Sequence, residues 1–366
     1  MTGPTLPSPL ARTLDQLYSR LARPLTPEDL QALGADTDRF TRDFLDTFTD
    51  LEPVLATITQ FNDALTGTVI TQAQADLDRQ GMGPAPQPFC WISMGSEARG
   101  EQVIRTDQDN ALIYADPDPA QAARTDEWFH ALAHQVTRDL AAFGFELCKG
   151  EVMAVNPVWR RPLSQWLRVL DKWVGSAEPE DVRKLTILLD FRGVHGDAHL
   201  ADALHQRVFH LFKNNLSVNH YLVRDDNLFA APRTFFGKIR TRRHNGRACF
   251  NIKTMGLAHL INGIRILAVN REIATPSTLE RLKALEAQGA ITAKDHLAYK
   301  TAFLFLTRLK IRNHLIRDPH IPVNRVVVSE LSPDKRQTLE EALDTVVTLQ
   351  RRIHRSHNVA WMNFFN

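Results

Sequence analysis

Apolar positions set the first boundaries. Leu51, Val54, Leu55, Ile58 and Phe61 recur at offsets of 3, 4, 7 and 10, one face of a helix, so residues 1–80 are expected to be a helical leader. The run GMGPAPQP at 81–88 concentrates Gly and Pro, which disfavour regular backbone, and marks a linker into a new unit. Beyond it FCWISM (89–94) and NALIY (110–114) are short, apolar and aromatic, as strands are. Trp128, Leu132, Val136 and Leu140 step by four and predict a helix over 120–143. Residues 151–155 and 186–191 are two more strand candidates, with a helical stretch rich in Arg and Trp between them. From about 198 strand alternation gives out. Leu257, Leu260, Ile264 and Leu267 form one helical stripe, and Phe305, Leu309 and Ile316 another. Helix starts are expected at Thr275-Pro276, Ser277-x-x-Glu280 and Ser332-Pro333, and a stop at Gly289. The pattern predicts an α+β chain: a leader at 1–80, a domain with a small mixed sheet at 81–204, and an α-helical bundle at 205–366.

Composition narrows the class. With 43% hydrophobic and 23% charged residues the chain can bury a core, so disorder and fibrous repeats are excluded. Lys and Arg number 44 against 42 Asp and Glu, so net charge does not announce a nucleic-acid or membrane partner. Cys90, Cys148 and Cys249 are odd in number and far apart, which suits neither a disulfide framework nor a CxxC knuckle. No basic start with an apolar run opens the chain, and no stretch reaches the ~18 uncharged residues of a membrane span. The expectation is a cytoplasmic protein without a membrane partner.

The chemistry concentrates in one string, CWISMGSEARGEQVIRTDQDNALIY. A strand runs into Gly95-Ser96, ten residues intervene, and Asp107-x-Asp109 opens the next strand. Side chains at i and i+2 of a strand share a face, so two carboxylates would lie together and repel unless cations sit between them. Such a pair suits two Mg²⁺ ions, which prefer carboxylate oxygen and keep positions open for water and phosphate. Gly95 would let backbone N–H groups approach a phosphate, and Ser96 would add a hydroxyl. Gly-Ser alone is usually a turn and Asp-x-Asp alone a loop or cap; the flanking strands are what favour the functional reading. Gly95-x4-Gly100 starts like a P-loop, but Glu101-Gln102 stands where Lys and Ser or Thr are required, which excludes a Walker-type ATPase.

Gly95-Ser96, ten residues, then Asp107-x-Asp109 is similar to the signature of the DNA polymerase β-like nucleotidyltransferase superfamily. The string GSEARGEQVIRTDQDNALI resembles its DUF294-type branch, which is related to the N-terminal domain of the protein-PII uridylyltransferases. Leu189-Asp190-Phe191-Arg192 looks like that branch's later Asp-x-Arg segment, and residues 251–282 look like its helical substrate-binding domain. The resemblance covers about residues 50–350. It implies Mg²⁺-dependent transfer of a nucleoside monophosphate from an NTP to a hydroxyl, with loss of pyrophosphate. Asp107, Asp109 and Asp190 become the metal ligands and catalytic acids, with Asp190 also helping to remove the acceptor proton. Gly95 and Ser96 would hold the leaving phosphates, and Arg99 or Arg105 would offset developing charge. The implied acceptor is a protein, with a PII-like signalling protein as one candidate. Alternatives are a nucleotide-sensing module without turnover and, more weakly, an RNA-directed transferase.

The sequence departs from the branch at Ala98, where Gly is common. The segment before the transferase region is too short for an upstream CBS pair or cyclic-nucleotide module, and no His-Asp dipeptide occurs, so a uridylyl-removing hydrolase is not expected. Asp190 has a competing reading as an ion pair with Arg192, and Glu151 is its substitute as third acid. Asp197 reads better as a helix cap. His130 and His134 lack the further ligands of a zinc helix and read as helix surface. Arg233, Lys238, Arg240, Arg242, Arg243 and Arg247 form a run without acids around Phe235 and Phe236, which reads either as a solvated loop or as a phosphate, RNA or acidic-partner surface. Lys253 and Arg265 match recurring positions of the family's helical domain without a readable role.

Overall fold

The computed structural model describes residues 6–176, 178–213, 222–223, 231–234, 237–316, 318 and 320–364. It resolves into two compact units, one of Met1–Gly175 with Asp190–Val208 and the other of Ser176–Leu189 with Phe209–Asn366.

The first unit begins with α1 (Ser8–Leu21), α2 (Pro27–Thr47) and α3 (Glu52–Arg79). A capping box starts α2: the Thr26 hydroxyl accepts from Asp29 N–H while the Asp29 carboxylate accepts from Thr26 N–H. The three helices belong to the same compact unit as the sheet. Tyr18 meets Phe61 edge-on at 5.4 Å, and Phe61 lies 6.5 Å from Phe143 of α5 (Ala122–Phe143). Gly34 of α2 allows a close approach, since a Cβ there would stand 2.1 Å from the Phe143 carbonyl oxygen. Ala is the better helix former by about 1 kcal/mol, but overpacking against backbone costs about 1–3 kcal/mol. Gly34→Ala is therefore expected to lower stability by about 1 kcal/mol, a melting shift of a few degrees that calorimetry would register.

The sheet of this unit has the order β3-β2-β1-β4, built from β1 (Phe89–Met94), β2 (Asn110–Tyr114), β3 (Arg160–Pro162) and β4 (Phe191–Gly196). β1 lies antiparallel to β2 and β4, and β2 parallel to β3, so the sheet is mixed. β1 and β2 are buried along their whole length, which is why their sequences are apolar without alternation. α5 covers the sheet through Phe129, stacked on Tyr114 at 4.4 Å and edge-on to Phe89 at 5.5 Å. α4 (Gly95–Ala98) is a single turn, α6 (Leu163–Ser176) packs Trp166 and Trp173 with Trp159, and α8 (Ala198–Lys213) follows β4. α8 is capped by Asp197, whose carboxylate accepts from His199 N–H, as its sequence suggested.

The second unit contains α7 (Pro179–Ile187), α9 (Ala258–Val269), α10 (Thr278–Ala287), α11 (Ala293–Ile316) and α12 (Pro333–Phe364). Ser277 caps α10 by accepting from Glu280 N–H, and Gly289 follows its end at φ +67°. The chain is thus α+β, with a small mixed sheet in its N-terminal part and a helical C-terminal part.

Four local expectations are corrected. Residues 151–155 form a loop: Glu151 has φ +55°, off the strand region, and Val152 to Ala154 are apolar because they are buried beside β2. The strand sits later, at β3. Residues 186–191 are mostly the end of α7 and a turn, with Phe191 alone in β4, since a short apolar run fits a buried helix turn equally well. The helical half also holds a three-stranded sheet, β5 (Arg242–His244), β6 (Arg247–Asn251) and β7 (Arg325–Val327). Its hairpin turns at Asn245 and Gly246, at φ +47° and +78°, a backbone that an Asn-Gly pair adopts readily. In α11 the buried face is Tyr299, Ala302, Phe303, Leu306 and Ile311, while Phe305 and Leu309 are half-buried and Ile316 is 77% exposed. Apolar residues occur on several sides of that helix, so periodicity does not single out one.

Candidate active site

The site grows from an alternation. Gln108 and Asn110 are buried: the Gln108 amide donates to the Thr137 and Phe145 carbonyls at 3.0 and 3.2 Å, and the Asn110 side chain accepts from Ala154 N–H at 2.9 Å. With these two fixed inward, Asp107 and Asp109, which lie in the segment just before β2 rather than inside it, turn to the other side, where both are half-buried. Backbone bonds hold the register. Met94 N–H donates to the Asp109 carbonyl at 2.8 Å, and Asp107 forms a parallel bridge with Glu146. Cys148, two residues past Glu146 as Asp109 is two past Asp107, completes a group whose ligand atoms all lie within 4.8 Å of one another. Among the described residues this is the group able to hold a metal ion. Burial, reinforced by Asp109, raises the Cys148 thiol above its usual pKa.

Gly95 adopts φ +59° at the end of β1, and its N–H donates to the Asp190 carbonyl at 2.9 Å. That N–H is therefore committed to the protein rather than offered to a phosphate. The missing Cβ serves another purpose: one built there would meet the Asp109 carboxylate at 2.9 Å. Gly95→Ala is expected to push that carboxylate aside and to impose a left-handed conformation disfavoured by about 1 kcal/mol. Cation affinity should fall further than the melting temperature does, as paired calorimetric and thermal measurements would register.

Asp190 is only 1% exposed and lies outside the group of Asp107, Asp109 and Cys148. Its carboxylate accepts from Arg99 Nη1 at 2.6 Å, and Arg99 Nε donates to Glu101 at 2.7 Å. The two acids hold the guanidinium charged against the desolvation that opposes it. The ion pair weighed against a catalytic role thus exists, but with Arg99. Arg192 instead grips Asp63 of α3 through two bonds of 2.7 and 2.6 Å, and donates to the Ala98 and Glu97 carbonyls. Arg105 lies over the Phe143 ring, pairs with Asp38 at 2.5 Å and donates to the Gly34 carbonyl, which ties α2 to the end of α5. Ser96 sits in the α4 turn, where its carbonyl accepts from Glu101 N–H at 2.9 Å. Glu97 bonds the Ser93 hydroxyl at 2.9 Å, and burial pushes its carboxyl up to about 7.

Cys148, Gln108 and Asn110 escaped sequence reasoning as site elements. The amides were legible in principle, since D-Q-D-N alternates carboxylate and amide at period two; Cys148 carried no local signal. Elsewhere, His130 and His134 are exposed on α5, and Glu151 is exposed in its loop. Of the basic run, Arg233 pairs with Asp344, and Arg247 with Asp318 and Glu330, while Lys238, Arg240, Arg242 and Arg243 are exposed. Phe235 and Phe236 lie outside the described residues. Lys253 is exposed, and Arg265 is buried with its guanidinium on Asn262. No described helix is long and apolar enough to cross a membrane.

Residues 35–180 match the family model described as putative nucleotidyltransferase DUF294, and residues 217–357 match the model described as putative nucleotidyltransferase substrate binding domain. Together the two matches take in most of the chain. No curated protein matches it.

Proposed function

Since the chain belongs to the putative nucleotidyltransferase DUF294 family, we propose that it moves a nucleoside monophosphate from an NTP to a hydroxyl acceptor. The acceptor oxygen forms a bond to the α-phosphorus, the α–β phosphoanhydride bond breaks, and pyrophosphate leaves carrying that electron pair. The observation that carries this reading is the pair of carboxylates, Asp107 and Asp109, gathered beside the left-handed bend at Gly95.

The donor set fits divalent cations, since two half-buried carboxylates gathered within 4.8 Å offer the oxygen ligands that hard cations take. Two Mg²⁺ ions, when bound, would neutralise the triphosphate and polarise its α-phosphate. Asp107 and Asp109 would hold them, and Ser96 would steady the leaving phosphates with its hydroxyl. Asp190 is the proposed third acid, receiving the acceptor proton, with Arg99 as its positioning residue. Neither Arg99 nor Arg105 is assigned a phosphate, because each guanidinium is engaged within the protein. The acceptor is proposed to be a protein, of the PII-like signalling kind, bound by the helical half that the family description assigns to substrate.

The Arg99–Asp190 pair favours a second reading, a nucleotide sensor whose third acid is neutralised and which binds without turnover. The test incubates purified protein with each α-labelled NTP, Mg²⁺ and host lysate, alongside Asp109→Asn. Label on a protein band from the native chain alone supports transfer to protein. Nucleotide binding without pyrophosphate release supports the sensor, and label in RNA overturns the protein acceptor.

A further inference from the structure

The thiol at the carboxylate pair belongs to no part of the reaction proposed above, yet the backbone delivers it there. Gln108 N–H donates to the Glu146 carbonyl at 2.8 Å and Glu146 N–H to the Thr106 carbonyl at 3.0 Å, which fixes the two segments side by side in parallel. Counting two residues onward on each brings Cys148 beside Asp109, on the face that Asp107 and Asp109 share. A tight turn then anchors the cysteine from behind. Glu151 N–H donates to the Cys148 carbonyl at 3.0 Å, and Cys148 N–H points to the Met153 sulfur at 3.4 Å. The thiol is thus held by backbone on both sides rather than carried on a wandering loop.

Its chemistry changes what the site selects. Two carboxylates alone make a hard oxygen site that suits Mg²⁺. A thiolate added to them makes a mixed S/O donor set, which favours softer divalent ions such as Zn²⁺ and Co²⁺. We propose that Cys148 is a third ligand at the Asp107–Asp109 centre, so that one cation position there takes a thiophilic divalent ion in preference to Mg²⁺. The inference rests on Asp107 and Asp109 being the cation site of the proposed transferase. On binding, a bond forms between Sγ and the cation while the S–H proton passes to solvent; no oxidant or reductant takes part.

The test titrates Co²⁺ into the metal-free full-length protein and follows the thiolate-to-cobalt charge-transfer band in the near ultraviolet. The band is expected in the native chain, absent from Cys148→Ser and lost with Asp109→Asn. Zn²⁺ affinity of Cys148→Ser, by competition with a chromophoric chelator, is expected to fall at least about tenfold, the smallest loss even a supporting group near a metal produces, with Mg²⁺ affinity unchanged. Cys90 and Cys249 stay in place as internal controls, both buried. Independently of any variant, Zn²⁺ is expected to shield Cys148 from iodoacetamide, as peptide masses would record. A band that persists in Cys148→Ser, or alkylation of Cys148 indifferent to Zn²⁺, overturns the proposal. If Co²⁺ binds with no thiolate band but still requires both aspartates, Cys148 fails while the transferase site stands; if no cation binds at all, both fail.

Discussion

Asn in place of Asp109 is expected to reduce nucleotidyl transfer at least about a hundredfold while leaving the fold intact. Loss of one preorganised electrostatic group costs about 10²–10³ in rate, and here the lost charge is also half of the carboxylate pair that would hold the cations. The fold should survive because the strand is registered by the Asp109 carbonyl, which accepts from Met94 N–H, and by the buried neighbours Gln108 and Asn110, none of which the substitution touches. Pyrophosphate release and thermal melting, measured on the same preparation, check both halves. A variant within tenfold of the native rate would refute the assignment of Asp109.

Arg99→Met is expected to destabilise the protein by about 3–5 kcal/mol, the range found when one partner of a buried ion pair is removed. Asp190 and Glu101 have side chains 1% and 8% exposed, and the loss of Arg99, itself 11% exposed, leaves both carboxylates short of a positive partner. The sign with pH follows. Protonation relieves a buried carboxylate that has lost its cation, so the variant's deficit is expected to shrink as pH falls. Urea unfolding at neutral and mildly acidic pH is the measurement; a deficit independent of pH would assign the loss to packing instead. Glu101→Gln introduced into the Arg99→Met chain should recover part of the stability, because one of the two stranded charges is gone.

How much of this was legible in the sequence depends on where each residue's partner lies. β1, β2 and α5 could be read because their burial is uniform or strictly periodic, which local pattern records directly. β3 and β4 could not. β4, FRGVHG, carries polar residues and two glycines, and Gly196 at φ +98° is required because a Cβ there would lie 2.0 Å from the Phe89 carbonyl oxygen, a contact with another strand. The hairpin of β5 and β6 was missed although Asn245-Gly246 is the sequence that such a turn uses, because its arginines resemble a solvated loop. At the site, Asp107 and Asp109 announce themselves by their spacing in the segment that leads into β2. Asp190 and Cys148 do not, because Arg99 lies 91 residues from Asp190 and the thiol reaches its carboxylates only through the bridge at Glu146. Distant pairing of this sort leaves no periodic trace.

The bond from Arg192 to Asp63 bears on how this protein can be handled. It spans 129 residues and joins α3, part of the expected helical leader, to the carbonyls of the bend beside the carboxylate pair. A shortened version started at Gly81 would strip Arg192 of its counter-charge and uncover the aromatic ring of Phe143, so any trimmed version prepared for crystallisation or enzymology needs α2 and α3 kept.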